Sequence, residues 1–146
     1  MRAKSVIFSI LLIAVVIGCS KSASSPEDVV KAVLENVIKG NYEAALGYWV
    51  DSNGNPISQE TRQTMLNSMQ SNAKLSSYTI KGVTDANSFL EQTQDIPQSE
   101  KDKVSEFFKA FEEVKVVTVT LSGETTYDTP LFVVKHKGSW KILVPQ

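Results

Sequence analysis

Cysteine and histidine are almost missing from this 146-residue chain: Cys19 and His136 are the only ones. One cysteine cannot close a disulfide within the chain, and with one histidine no zinc site of the Cys/His type can be assembled. Basic excess is missing as well, with 15 Lys and Arg against 16 Asp and Glu. Both signs are interspersed, the pattern of a solvated surface and not of a nucleic-acid interface, so no nucleic-acid partner is expected. There is no Gly-x-Ser-x-Gly elbow and no glycine-rich phosphate loop. A continuous apolar run of membrane-spanning length, about 20 residues, is lacking too. With neither disulfide nor metal, a folded domain here depends on its hydrophobic core, and the length suffices for one domain.

One apolar run is present. Arg2 and Lys4 precede an unbroken apolar stretch from Val6 to Ile17, interrupted only by Ser9, which ends in Val16-Ile17-Gly18-Cys19. A basic start followed by a short greasy middle is the layout of a secretory signal. Val16, Ile17, Gly18 and Cys19 resemble, position by position, the lipobox of bacterial lipoprotein signal peptides. That resemblance implies a diacylglyceryl thioether on Cys19, cleavage before it, and acylation of the new terminus. It also implies a cell-envelope location with the membrane as partner. Ser20 stands where an Asp would retain many such proteins at the inner membrane, so the outer membrane is favoured where there are two. Chemistry agrees with cysteine at that position, since a thiolate is a far better nucleophile than a hydroxyl near neutral pH. The expected organisation is a signal peptide over 1–18, a Ser-rich flexible tether over 19–25, and a single α+β domain over 26–146. Without Arg2 and Lys4, 13 basic residues face 16 acidic ones.

Ser25-Pro26-Glu27-Asp28 is a helix start, with Ser as N-cap, Pro in the first turn and acids at the positive end of the dipole. Val30, Val33, Leu34, Val37 and Ile38 follow at helical spacing, and Gly40 is the expected stop. Asn41 caps a second helix carrying Tyr42, Ala45, Leu46 and Trp49. Asp51 to Pro56 is a turn. Its Asp51, Asn53 and Asn55 match the first half of a calcium loop, but Pro56 stands where Gly is needed and Arg62 where a bidentate Glu is needed. Ser58 to Leu75 reads as a helix with Met65 and Met69 on one stripe. Ser77 to Thr84 reads as a strand with Tyr78 and Ile80 on one side and Thr79, Lys81 and Val83 on the other.

A short helix is expected around Phe89 and Leu90. A longer one over Pro97 to Glu113 places Val104, Phe107, Phe108 and Phe111 on one apolar face. Three antiparallel strands follow from Val114, turning at Ser122-Gly123 and Lys137-Gly138; Pro130 belongs at an edge or bulge. Helices first and strands last predict an α+β fold: N-terminal helices on a curved antiparallel sheet of about four strands, with a helical insertion at about 85–113.

That order, with Ser25-Pro26-Glu27-Asp28-Val29-Val30, Gly40-Asn41-Tyr42-Glu43-Ala44-Ala45 and Gly138-Ser139-Trp140-Lys141-Ile142, resembles the cone-shaped superfamily of nuclear transport factor two, limonene epoxide hydrolase and ketosteroid isomerase. Within it, the likeness is greatest to small bacterial lipoproteins whose domain has no assigned function. The resemblance covers roughly residues 25–84 and 114–144 and implies a cone interior and a homodimer option through the exposed sheet; the Asp85 to Glu113 stretch departs from the pattern as an insertion able to fill or lid the cone. The enzymes of that superfamily keep an acidic base inside the cone, and no motif here aligns with theirs. Asp51 and Asp128 are the candidate bases by residue type, each beside a turn or proline signal. Tyr127, Phe132 and Trp140 are candidate cavity-lining aromatics for a small apolar ligand, and His136 is a hairpin-pairing residue. No catalytic residue, metal ligand or cofactor is assigned. The expected function is a membrane-anchored, non-catalytic domain that binds a small apolar ligand or an envelope protein. The alternative is an isomerase or hydrolase using a pocket in the cone.

Overall fold

The computed structural model describes residues 23–72 and 74–144. The signal peptide, Cys19 and the tether as far as residue 22 lie outside the described residues. Helix α1 (Pro26–Ile38) starts as its residues dictate: the Asp28 amide donates to Ser25 Oγ at 3.1 Å. It ends before Gly40, which has φ +79°. Helix α2 (Tyr42–Leu46) follows at once, and the chain then leaves helical geometry. Trp49 is therefore not on a second helix: Trp49–Val50 form a short strand, β1. Helix α3 (Gln59–Asn72) begins at Ser58, whose Oγ accepts from the Thr61 amide. Strand β2 (Ser77–Asp85) leads into helices α4 (Ala86–Gln92) and α5 (Gln98–Phe108). Strands β3 (Glu113–Ser122), β4 (Thr126–His136) and β5 (Ser139–Leu143) complete the order.

The fold class is α+β, and the sheet is open, with five strands in the order β1-β5-β4-β3-β2. The expected count of about four falls short by β1, which pairs parallel with β5 through Trp49 and Ile142. The other pairings are antiparallel. A two-residue strand has no alternation to read, so it carries no signal in sequence. The β4–β5 hairpin closes with Lys137 and Gly138, both at positive φ, the twist that suits a two-residue turn. Pro130 pairs with Thr118 of β3, and β5 reaches only as far as Val133, so Pro130 occupies the stretch of β4 with a free edge, as expected.

Strand alternation divides the core in two. Val117, Val119, Val133, Trp140 and Ile142 face α1, packing against Val29, Val30, Val33 and Leu34. Val114, Val116 and Val134 face the other way and pack against Leu90, Phe108 and Phe111. The α4–α5 insertion therefore covers the sheet face opposite α1, and it neither fills nor lids the space beneath α1. Leu46, Ile57 and Leu66 form a third cluster, flanked by Met65 and Met69, that carries α3.

Two details depart from the simple periods. In β2 the register slips between Ile80 and Gly82, so Lys81 is an extra residue and Val83 pairs with Val117. Val83 thus returns to the side of Tyr78 and Ile80, the usual effect of a β-bulge. In α5 the buried positions are Phe108 and, just beyond its end, Phe111, with Val104 half-buried. Phe107 is 53% exposed. It sits about 100° around the helix from Phe108, off the stripe that meets the sheet.

The domain also begins earlier than expected. Ala23 is buried, and its carbonyl accepts from the Trp140 amide at 3.4 Å. Residues 23–25 thus belong to the folded body and not to a tether.

Candidate functional site

An apolar concavity lies between the C-terminal halves of α1 and α3 and the β3–β4 turn. Leu34 and Val37 come from α1, Met69 from α3, and Leu75, Leu121 and Tyr127 complete the wall around a groove of about 400 Å³. Helix α1 supplies its residues because positions 30, 33, 34 and 37 share one helical stripe. Leu121 and Tyr127 are register partners on β3 and β4, and alternation points both to the α1 side. At the rim, Lys74 Nζ lies 3.4 Å from Glu124 Oε1, an exposed ion pair bridging the segment after α3 to the turn. Gly123 at that turn is required by close approach: a Cβ there would run into the Lys74 carbonyl oxygen.

Of the three aromatic candidates, only Tyr127 reaches this groove. Phe132 is on the opposite sheet face, edge-on to Phe89 at 6.0 Å and 5.9 Å from Phe108. Trp140 is a core residue beneath α1. The three do not line one cavity, because 127 and 132 differ in parity on one strand and 140 is covered by a helix. Leu34, Val37, Met69 and Leu75 were missed as groove residues. Helical spacing marks them as apolar without showing that the chain leaves part of their surface open.

The candidate bases are also apart. Asp51 Oδ1 accepts from the Asn53 and Asn55 amides at 2.9 and 3.0 Å, holding the turn to itself. Asp128 is exposed on the sheet face opposite the groove. Its carboxylate accepts from Thr120 Oγ1 at 2.6 Å and Lys81 Nζ at 3.0 Å. The hydrogen bond from Thr120 first, and that from Lys81 second, hold its pKa below the ordinary 3.8. A lowered carboxylate pKa contributes stability above the ordinary value that is lost as pH falls through the folded one. Asp128→Asn should therefore be less stable than the parent near neutral pH. The difference should begin to narrow as pH falls below about 3.8 and close only below the lowered folded-state value, as read by urea unfolding at several pH values.

His136 is packed rather than poised. It pairs with Ser139 across the hairpin, as expected, with Phe111 edge-on at 6.0 Å and Gly54 against its ring. Trp49 Nε1 is a buried donor without a hydrogen-bond partner. Among the described residues no polar or charged residue is fully buried. Among them, too, no three His, Cys, Asp or Glu side chains converge to hold a metal ion, and no helix is long and apolar enough to cross a membrane. A second concavity, of about 290 Å³ beside α5 and the start of β3, is lined by charged groups including Asp85, Lys109, Glu112 and Lys115. There Lys115 Nζ is 3.8 Å from Asp85 Oδ1, so the charges largely satisfy each other. The chain matches no family model, no curated protein and no solved structure.

Proposed function

We propose that the protein is a lipid-anchored domain of the bacterial cell envelope, of the cone-shaped superfamily, that binds a small apolar ligand without transforming it. The observation that carries the binding half of this reading is the groove of about 400 Å³ walled by Leu34, Val37, Met69, Leu75, Leu121 and Tyr127. Its size and lining suit a ligand with a hydrocarbon or ring body, and its rim pair of Lys74 and Glu124 offers polar contacts for one end. The anchoring half comes from Val16-Ile17-Gly18-Cys19. General acid or base chemistry needs a titratable group within hydrogen-bond reach of bound substrate. Among the described residues the ionisable groups lining this groove are Lys74, Glu124 and Tyr127, all exposed, which favours binding over catalysis.

The test uses the apolar fluorophore N-phenyl-1-naphthylamine as probe. Met69→Gln and Tyr127→Ser each remove apolar wall without touching a fully buried residue, so both variants should fold. Each should weaken probe binding by about tenfold, the effect of roughly 1.4 kcal/mol of lost apolar contact. Equal binding by parent and variants would overturn the groove as the ligand site. Mass spectrometry of organic extracts from the purified protein would identify what the groove carries from the cell.

A further inference from the structure

The point at which the chain enters the domain shares one end of the molecule with an exposed aromatic. Ala23 is held there through its carbonyl, which accepts from the Trp140 amide. Trp140 pairs with Lys135 and Lys135 with Glu113, so Ala23 lies at the level where β3 begins. The end of α5 is tied to the same level. The Glu112 amide donates to the Lys135 carbonyl at 3.0 Å, and the Gly138 amide donates to Glu112 Oε1 at 3.3 Å. Phe107, in the last turn of α5, is the most exposed phenylalanine among the described residues, and exposed Ala110 follows one turn later.

Only residues 20–22 separate Cys19 from Ala23, four Cα steps that reach about 14 Å at full extension. A lipid on Cys19 therefore keeps this end within about 14 Å of the bilayer. We infer that the Ala23 end of the domain is a membrane-contacting face, on which Phe107 enters the headgroup boundary of the bilayer that holds the Cys19 acyl chains. The inference rests on the lipoprotein reading of Cys19. Insertion is driven by apolar burial more than by attraction to anionic lipid, because two of the cations at this end are matched and Lys137 of the β4–β5 turn is a single exposed charge beside them. Lys109 lies 2.6 Å from Glu106, and Lys135 lies 3.7 Å from Glu113. The groove is at the other end: β3 runs ten residues from Glu113 to Ser122, beside the groove's Gly123, a span of about 33 Å. Docking by Phe107 turns the groove mouth away from the lipid.

The full mature protein, reconstituted in vesicles of phosphatidylethanolamine and phosphatidylglycerol, tests this directly. Single cysteines introduced as Ala110→Cys and, at the groove end, Thr125→Cys carry a nitrobenzoxadiazole dye quenched by aqueous cobalt ions. The Ala110→Cys dye should be shifted to the blue and several-fold less quenched than the Thr125→Cys dye, and adding Phe107→Ser should remove the difference. Protection should persist in about 1 M salt, where the Debye length is about 3 Å. Equal quenching at both positions, or protection lost in high salt, would overturn the inference. Intact mass of the same samples separates the two layers: acylated protein with equal quenching removes only the docking face, whereas protein without acyl mass removes the anchor and the docking face together.

Discussion

On the proposed lipoprotein reading, Cys19→Ser should abolish the acyl mass of the mature protein and leave residues 1–18 attached. The lipid-transfer step needs a sulfur nucleophile, and a serine hydroxyl is almost entirely protonated near neutral pH. On that reading the signal cut depends on the modification, so an unmodified chain would keep its leader. Energetically the change is large. Each buried methylene contributes about 0.8 kcal/mol, and a single fourteen-carbon chain already binds membranes reversibly, so two or three chains make detachment negligible. The measurement is intact mass of detergent-extracted parent and variant, with the parent lacking residues 1–18 and gaining acyl chains. A serine variant that is trimmed and anchored as the parent is would end the lipoprotein reading.

Gly54→Ala should lower the midpoint of thermal unfolding by roughly 10 °C, from a loss of about 2–4 kcal/mol. Two independent costs meet at this residue. Its φ of +80° lies in the left-handed region, where a side chain costs about 1–2 kcal/mol. A Cβ would also sit 2.8 Å from the His136 imidazole, which is confined on its other side by Phe111. The half-buried ring must give way, against its contact with Phe111, or the turn must shift. Gly54 bears this load because the Gly54 amide donates to the Asp51 carbonyl at 3.0 Å, closing the turn over the β4–β5 hairpin. Replacing Gly40 by Ala is the control: it shares the positive φ, but nothing lies within 4 Å of its added Cβ. It should lose only the backbone part. A variant at Gly54 as stable as the one at Gly40 would show that the His136 contact carries no weight.

How far such features can be read before a structure exists depends on whether the signal is local. Ser25, Pro26 and Gly40 announce the ends of α1 because caps act on their own turn, and Lys137-Gly138 announces the last hairpin for the same reason. Pro130 was placed correctly by a missing amide. Strand β1 was not legible, since two residues held by β5, some ninety positions later, have no local pattern. Nor was the bulge at Lys81: one extra residue before Gly82 reverses the parity of everything after it, and Val83 looks the same in sequence on either side. The aromatics show the limit most sharply. Phe107, Phe108 and Phe111 are indistinguishable by residue type, and only the angle at which α5 meets β3 and β4 leaves the first in solvent. The same applies to Tyr127, Phe132 and Trp140. Their hydrophobicity was evident, but their division among a groove, one core and the other core is set by parity and by which helix lies above.

The position of β5 has a consequence for how the chain acquires its shape. This strand is interior, flanked by β1 and β4, and Ile142 within it is fully buried beneath α1. Residues made earlier can collapse locally, with Val117, Val119 and Val133 under α1, yet that floor lacks Trp140 and Ile142 until β5 enters between two neighbours that are already synthesised. Contacts so distant along the polymer are slow to form because loop closure must precede them. A nascent chain short of residue 139 consequently lacks the strand that joins β1 to β4, and the five-stranded sheet is completed only when β5 has been made.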